Sequence, residues 1–258
     1  MLSIYKAKLR DIASRARWDL RSVARESRSR LRALKDSEKG RKAVLMCNGP
    51  SLNDVDLDLL AKSGAYLIGL NKINLLFDRS DLRPNCIVAT NEHVIEQNAD
   101  FYNETEIPLF LSKVACGINK YVKPRENIIF FYPDAVMRDP VADVTEVVQT
   151  GATVTNVALQ FALHLGIREI GLVGCDHSFA TKGVAHSAVK AEEVDHNHFD
   201  PRYFSSGVTW QLPDLLESEL NYQRVGNLAH ELGGTIYNCT EGGKLELYPR
   251  LSIEEFLK

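Results

Sequence analysis

Four of the seven histidines in this 258-residue chain fall in one segment, at His177, His186, His196 and His198. Asp195, Asp200, Tyr203 and Trp210 stand among them. A histidine near its free pKa can take a proton from an attacking hydroxyl at neutral pH, so this mixture suits general acid–base chemistry. Its densest part is His196-Asn197-His198-Phe199-Asp200-Pro201-Arg202-Tyr203-Phe204. The alternative for each residue is a structural hydrogen bond. Asp176, His177, His196 and His198 are also metal-ligand types. Their spacing fits no standard zinc motif, and histidines two apart cannot share one helix face. Chemistry without a metal is the expectation.

A reactive segment of this length, residues 177–213, reads as a lid or binding loop and needs a rigid frame. Ala43-Val44-Leu45-Met46-Cys47 starts that frame as a buried strand, broken by Asn48-Gly49-Pro50. Ser51-Leu52-Asn53-Asp54 then has the spacing of a helix N-terminal box with Ser51 as cap. A strand feeding a helix through a glycine turn leaves N–H groups free to hold a phosphate. An ordinary connection with no ligand is the other reading. Further strands are expected at 65–70, 86–90, 108–111, 128–132, 169–174 and 235–238. Helices are expected at about 54–62, 153–165 and 213–232, ended by Gly64, Gly166 and Gly233-Gly234, with a short one after Ser252. This alternation predicts an α/β fold: a mostly parallel sheet, helices on both faces, and ligand loops at the strands' carboxyl ends. Asn48, Ser51, Asn71, Asn91 and Asp176 all follow strand ends, and we read them as one polar rim. Amide side chains can bind a base, ribose or phosphate without adding charge. The chain has no G-x-G-x-x-G, no P-loop and no G-x-S-x-G, which argues against nicotinamide enzymes, P-loop kinases and serine hydrolases.

Hydrophobic content of 45% and charged content of 25% are those of a globular protein. No apolar run approaches the roughly 20 residues of a membrane helix, and the amino terminus lacks a secretory core, so a cytoplasmic location is expected. The five scattered cysteines read as buried free thiols. The net charge of -3 conceals an asymmetry: residues 1–40 hold 12 Lys/Arg against 5 Asp/Glu, and the remainder carries a negative excess of ten. Tyr5, Leu9, Ile12, Ala16, Leu20, Val23, Leu31 and Leu34 recur at helical spacing between the arginines. Residues 1–40 therefore read as a basic amphipathic helix, 35–42 as its linker, and 41–258 as the nucleotide-binding domain. Such a helix docks on a membrane surface, on its own domain or on a sister subunit as a homo-oligomer. An acidic body is a poor match to nucleic acid.

Asn48-Gly49-Pro50-Ser51-Leu52 resembles the opening signature of two related groups: the bacterial CMP-sialic-acid sialyltransferases, and the motility-associated-factor-like and 6-hydroxymethylpterin-diphosphokinase-like proteins. The stretch Gly166–Asp176 resembles their second shared block, and Gly234–Gly243 is similar to the carboxyl-terminal motif of the second group. The resemblance spans about 42–250 and implies a variant Rossmann-type transferase. It implies that Asn48, Ser51, Asn71, Asn91 and Asp176 bind the nucleotide; Gly49 and Thr153 complete the expected contacts. It also implies a loop histidine as base, here His198 or His196, with Tyr203 and Arg202 offsetting charge on the leaving phosphate. In the sialyltransferases a tyrosine lies three residues before the histidine, an arrangement missing here.

The expected function is a metal-independent glycosyltransferase without a cofactor. It would move an acidic nonulosonate, such as sialic acid or a relative, from a CMP-activated donor to a glycan or glycolipid acceptor. The basic helix suits work as a peripheral protein at the inner membrane face, in polysaccharide biosynthesis. The alternatives are pyrophosphate transfer from ATP by a 6-hydroxymethylpterin-diphosphokinase-like enzyme, which should need Mg²⁺ on carboxylates, and a non-catalytic assembly protein.

Overall fold

Short apolar runs that need cover on both faces become parallel strands when helices can be laid over them. A computed structural model describes residues 12–117, 120–136, 139–179, 183–185, 187–191, 194–204 and 207–258. In chain order its elements begin with helix α1 (Ser22–Leu34), β1 (Lys42–Met46), α2 (Leu57–Lys62), β2 (Tyr66–Leu70) and β3 (Cys86–Ala89). Then come α3 (Glu92–Gln97), α4 (Ala99–Glu104), β4 (Leu109–Ser112), β5 (Ile128–Phe131), and the short strands β6 (Pro133–Asp134) and β7 (Val148–Gln149). The chain continues through α5 (Val154–His164), β8 (Glu169–Val173), β9 (Ala188–Lys190), β10 (Thr209–Gln211), α6 (Leu215–Glu231), β11 (Thr235–Asn238) and α7 (Ile253–Phe256).

Seven strands form one parallel sheet in the order β11-β8-β1-β2-β3-β4-β5, a Rossmann-like α/β fold. Alternation along each strand splits the core in two. Val44 and Met46 pack with α2, α3, α4 and the aromatic residues of the 194–210 segment, whereas Ala43 and Leu45 pack with α5 and α6. The order reverses between β1 and β8, opening a crevice at their carboxyl ends where open α/β sheets bind ligands.

The 177–213 segment is partly structured. β9 and β10 pair antiparallel, and Phe199, Tyr203, Phe204 and Trp210 are buried against the first core. His186 lies outside the described residues.

The amino-terminal reading needs correction. Residues 12–19 are helical, the chain turns at Leu20 and Arg21, and α1 follows. That break shifts the helical phase: Trp18, Ala24 and Ser27 are buried and Ile12 and Leu20 of the expected stripe are 64% and 78% exposed, whereas Leu31 is buried and Val23 and Leu34 pack on the core as the stripe predicts. Tyr5 and Leu9 lie outside the described residues. The helix covers the β5 edge of the sheet, where the Phe130 N–H donates to Ser27 Oγ at 3.0 Å. Arg30 Nη1 donates to the carbonyls of Glu126 and Ile128 at 2.8 and 3.1 Å. Covering an edge strand in this way satisfies backbone groups that would otherwise invite pairing with another chain. The supposed linker is also docked, with Asp36 N–H on the His164 carbonyl and Glu38 N–H on that of Leu165. No helix among the described residues is long and apolar enough to cross a membrane.

Candidate active site

The strand-end crevice encloses a cleft of about 310 Å³, lined by Asn48, Gly49, Asn71, Asn91, Thr153, Asp176, His198 and Tyr203 among others. β1 delivers Asn48, whose Nδ2 donates to the Leu70 carbonyl at 3.1 Å while its Oδ1 is buried without a partner. β2 delivers Asn71, which sits at φ +48°, a left-handed value that Asn tolerates, and its Oδ1 is likewise buried and unpaired. A buried carbonyl oxygen without a donor carries a desolvation cost of about 1–3 kcal/mol until a ligand satisfies it. Asn91 is partly committed: its Oδ1 caps α3 by accepting from His93 N–H at 2.9 Å. Thr153 caps α5, accepting from Thr155 N–H at 3.3 Å, so the start of that helix also faces the cleft.

Ser51 does not start a capping box. Pro50–Asp54 is a 3-10 turn, and α2 is capped instead by Asp56, which accepts from Leu59 N–H. The Ser51 hydroxyl donates to Asp176 Oδ2 at 2.8 Å, joining the ends of β1 and β8 across the switch point. Ser51 thus lies behind Asp176 rather than on the lining. Gly49 allows this closeness, since a Cβ there would sit 1.9 Å from Asp176 Oδ2. The Gly242-Gly243 turn approaches the backbone of Asp176, with Lys244 N–H on its carbonyl at 2.8 Å, and not the cleft.

His198 carries the strongest acid–base geometry. Its Nδ1 lies 2.8 Å from Asp195 Oδ2, and its ring is stacked on Tyr203 at 3.8 Å between centroids. With the Nδ1–H donating to the Asp195 carboxylate, Nε2 is left as the base. Burial pushes the Asp195 carboxyl up, but the hydrogen bond and charge of His198, with the N–H groups of Asn197 and Phe204, hold it below its ordinary value. Two expected residues are elsewhere. His196 is exposed and off the cleft lining. Arg202 is held by Asp200 at 2.8 Å and by Asp78 at 2.8 Å, with its side chain 57% exposed. Asp200 turns the local backbone by accepting from the Arg202 N–H, and that directs the guanidinium outward. Tyr203 does line the cleft, but it is buried beside the Asn71 carboxamide, and burial raises its phenol pKa far above normal. The phenol is accordingly a neutral hydroxyl.

Three residues of the site carry contacts for which the sequence reading assigned no catalytic or nucleotide-binding role. Asp195 was seen but given no role, although three-residue spacing to His198 was its signal. His177 pairs through Nε2 with Glu219 Oε1 at 3.0 Å on another wall of the cleft, from a left-handed backbone at φ +50°. Lys72 is buried, donating to the Tyr203 carbonyl at 2.6 Å and to Gln97 Oε1 at 2.8 Å. Burial pulls its pKa down to about 8. Lys72 fixes the histidine-bearing segment to β2, and Phe199 N–H on the Asn48 carbonyl at 2.9 Å fixes it to β1. Among the described residues no three His, Cys, Asp or Glu side chains group as metal ligands.

The model of the family described as 6-hydroxymethylpterin diphosphokinase MptE-like matches residues 20–182, more than half the chain. Among solved structures, the fold is similar to that of the MAf glycosyltransferase from Magnetospirillum magneticum AMB-1, with a TM-score of 0.52 and 16% identity. That likeness covers 91% of this chain but only 39% of the glycosyltransferase. No curated protein sequence matches.

Proposed function

Because the chain belongs to the 6-hydroxymethylpterin diphosphokinase MptE-like family, whose matched region carries the walls of the cleft at the ends of β1, β2 and β8 but not His198, we propose that it is a nucleotide-dependent transferase, and specifically a glycosyltransferase using a CMP-linked acidic sugar. The observation that carries this reading is one arrangement: His198, held by Asp195 behind it, lines the same cleft as Asn48 and Asn71, whose buried acceptor oxygens await donors. A cytosine amino group or a ribose hydroxyl supplies such donors. The described lining holds no Lys or Arg; its donors are amides, hydroxyls, imidazoles and the start of α5. It suits the single phosphate of CMP better than a triphosphate.

In the proposed reaction His198 Nε2 takes the proton of the acceptor hydroxyl, and Asp195 steadies the imidazolium that forms. The acceptor oxygen bonds to the anomeric carbon as the bond from that carbon to the phosphate oxygen breaks. CMP departs with the electron pair, its charge met by the first N–H groups of α5 and the Thr153 hydroxyl. No step requires a cofactor. The acceptor is a glycan or glycolipid, and the enzyme works at the inner membrane face.

The test is thermal shift against CMP, UMP, GDP and ATP with and without Mg²⁺, followed by the rate of CMP release from a CMP-nonulosonate. CMP should raise the melting temperature without Mg²⁺. His198→Gln and Asp195→Asn should slow CMP release about 10²–10⁴-fold while leaving CMP binding intact. Stabilisation by ATP only with Mg²⁺ would replace this reading with pyrophosphate transfer, and no nucleotide response would leave a non-catalytic protein.

A further inference from the structure

A second cavity, of about 570 Å³, lies against the amino-terminal helical segments. Glu92 lines it, while the flanking Asn91 and His93 line the cleft, so the first turn of α3 is a wall common to both. Its other walls come from the amino-terminal helical segments, through Arg17, Trp18 and Arg21, and from the turn after β4, through Lys113. Three cations thus face one carboxylate, inside a body whose charge excess is otherwise negative. Two of these cations are held in place. Lys113 Nζ donates to Ser14 Oγ at 2.7 Å above the Tyr132 ring. Arg21 donates to the Cys116 carbonyl at 2.7 Å with its guanidinium over Trp18. A guanidinium has five N–H donors, so one such bond leaves others for a ligand oxyanion.

We propose that this cavity binds the anionic group, phosphate or carboxylate, of a sugar, and that the bound sugar is the acceptor presented past α3 to His198. Anion binding stands on the cavity alone; the word acceptor rests on the transferase reading above. Basic residues of the amino-terminal segment then select the substrate, in addition to covering the sheet edge.

The chain's two tryptophans separate the two sites, since Trp18 lines this cavity and Trp210 lines the cleft. In full-length protein carrying Trp210→Phe, Trp18 emission is titrated with glucose 1-phosphate, glucuronate and glucose. A saturable change with either anionic sugar and none with glucose is expected, and the sugar that responds identifies the oxyanion. Arg17→Gln, at an exposed position that folding should tolerate, should weaken binding about three- to tenfold. Glu92→Gln should tighten it about two- to threefold by removing a like charge, a gain that misfolding cannot imitate. An equal response to glucose, no response at all, or affinities unmoved by both substitutions would overturn the proposal. In the companion Trp18→Phe protein, Trp210 reports CMP in the cleft. A sugar-phosphate response without a CMP response would end the transferase reading and keep the anion site. The reverse would end the anion site alone.

Discussion

Replacing Gly49 by alanine tests the packing on which the cleft depends. Its backbone is ordinary, at φ -70° and ψ 162°, so an added methyl brings no torsional penalty. The cost is steric. The new Cβ would lie 1.9 Å from Asp176 Oδ2, 2.8 Å from its Cγ and 2.6 Å from the Gly174 carbonyl oxygen. The carboxylate can swing away, but it then gives up the Ser51 hydroxyl at 2.8 Å and the Ser51 N–H at 3.3 Å. The Gly174 carbonyl cannot follow, because it accepts the Gly49 N–H at 2.9 Å. Overpacking costs ~1–3 kcal/mol and a lost hydrogen bond to a charged group ~1.5–3 kcal/mol, so a total of about 2.5–6 kcal/mol is expected. In a protein of this size that lowers the melting temperature by roughly 5–24 °C. Gly64→Ala is the control: it sits at φ +71° with open space around its Cβ, and should cost only the ~1–2 kcal/mol of left-handed strain. Urea and thermal unfolding of both variants decide the matter. Adding Asp176→Ala to Gly49→Ala removes the nearest clash and should restore part of the loss, making the pair non-additive. A Gly49→Ala loss below about 1 kcal/mol, or no larger than that of Gly64→Ala, would refute the close junction of β1 and β8.

Other consequences are open to direct measurement. Arg202→Ala should leave CMP affinity within about twofold, because the guanidinium serves Asp78 and Asp200 on the surface; a tenfold loss by calorimetry would put it back in the cleft. The Lys72 pKa in the folded chain, about 8, lies below the 10.5 of an exposed lysine. Between those values the unfolded chain holds more protons, so the Lys72 contribution to stability rises with pH across that window. Wild type should therefore gain stability relative to Lys72→Met from pH 8 to 10.5, and parallel pH profiles in urea melts would contradict the burial of that amine. Ser27→Ala strips the partner from the Phe130 N–H and should cost about 1–2 kcal/mol in thermal unfolding; no change would mean that α1 does not seal the sheet edge.

Much of the frame was legible from local pattern. The runs at 43–47, 65–70, 86–90, 128–132, 169–174 and 235–238 lie on strands of one parallel sheet, and Thr153 and Ser252 cap the helices that follow them. Strand and helix periods are written over a few neighbouring residues, and turn glycines mark their ends, so a sequence displays them directly. The asparagines at strand ends were visible for the same reason: strand direction and sheet class together fix which end their loops occupy.

What the sequence could not state was direction. Whether Arg202 points at a phosphate or at Asp78, whether His196 or His198 meets the cleft, and that Ser51 serves Asp176 instead of its own helix all depend on partners roughly 120 residues away or on one local turn. The amino-terminal helix shows the same limit, since beside a bend at Leu20 and Arg21 the buried face takes in Trp18, Ala24 and Ser27, keeps Leu31 of the expected stripe, and leaves Ile12 and Leu20 exposed. Residue types and spacing thus determined an α/β sheet with a polar strand-end rim and a histidine-rich segment. Only the tertiary structure decided which of those groups meet, because side-chain orientation is set by packing and charge partners distant along the chain.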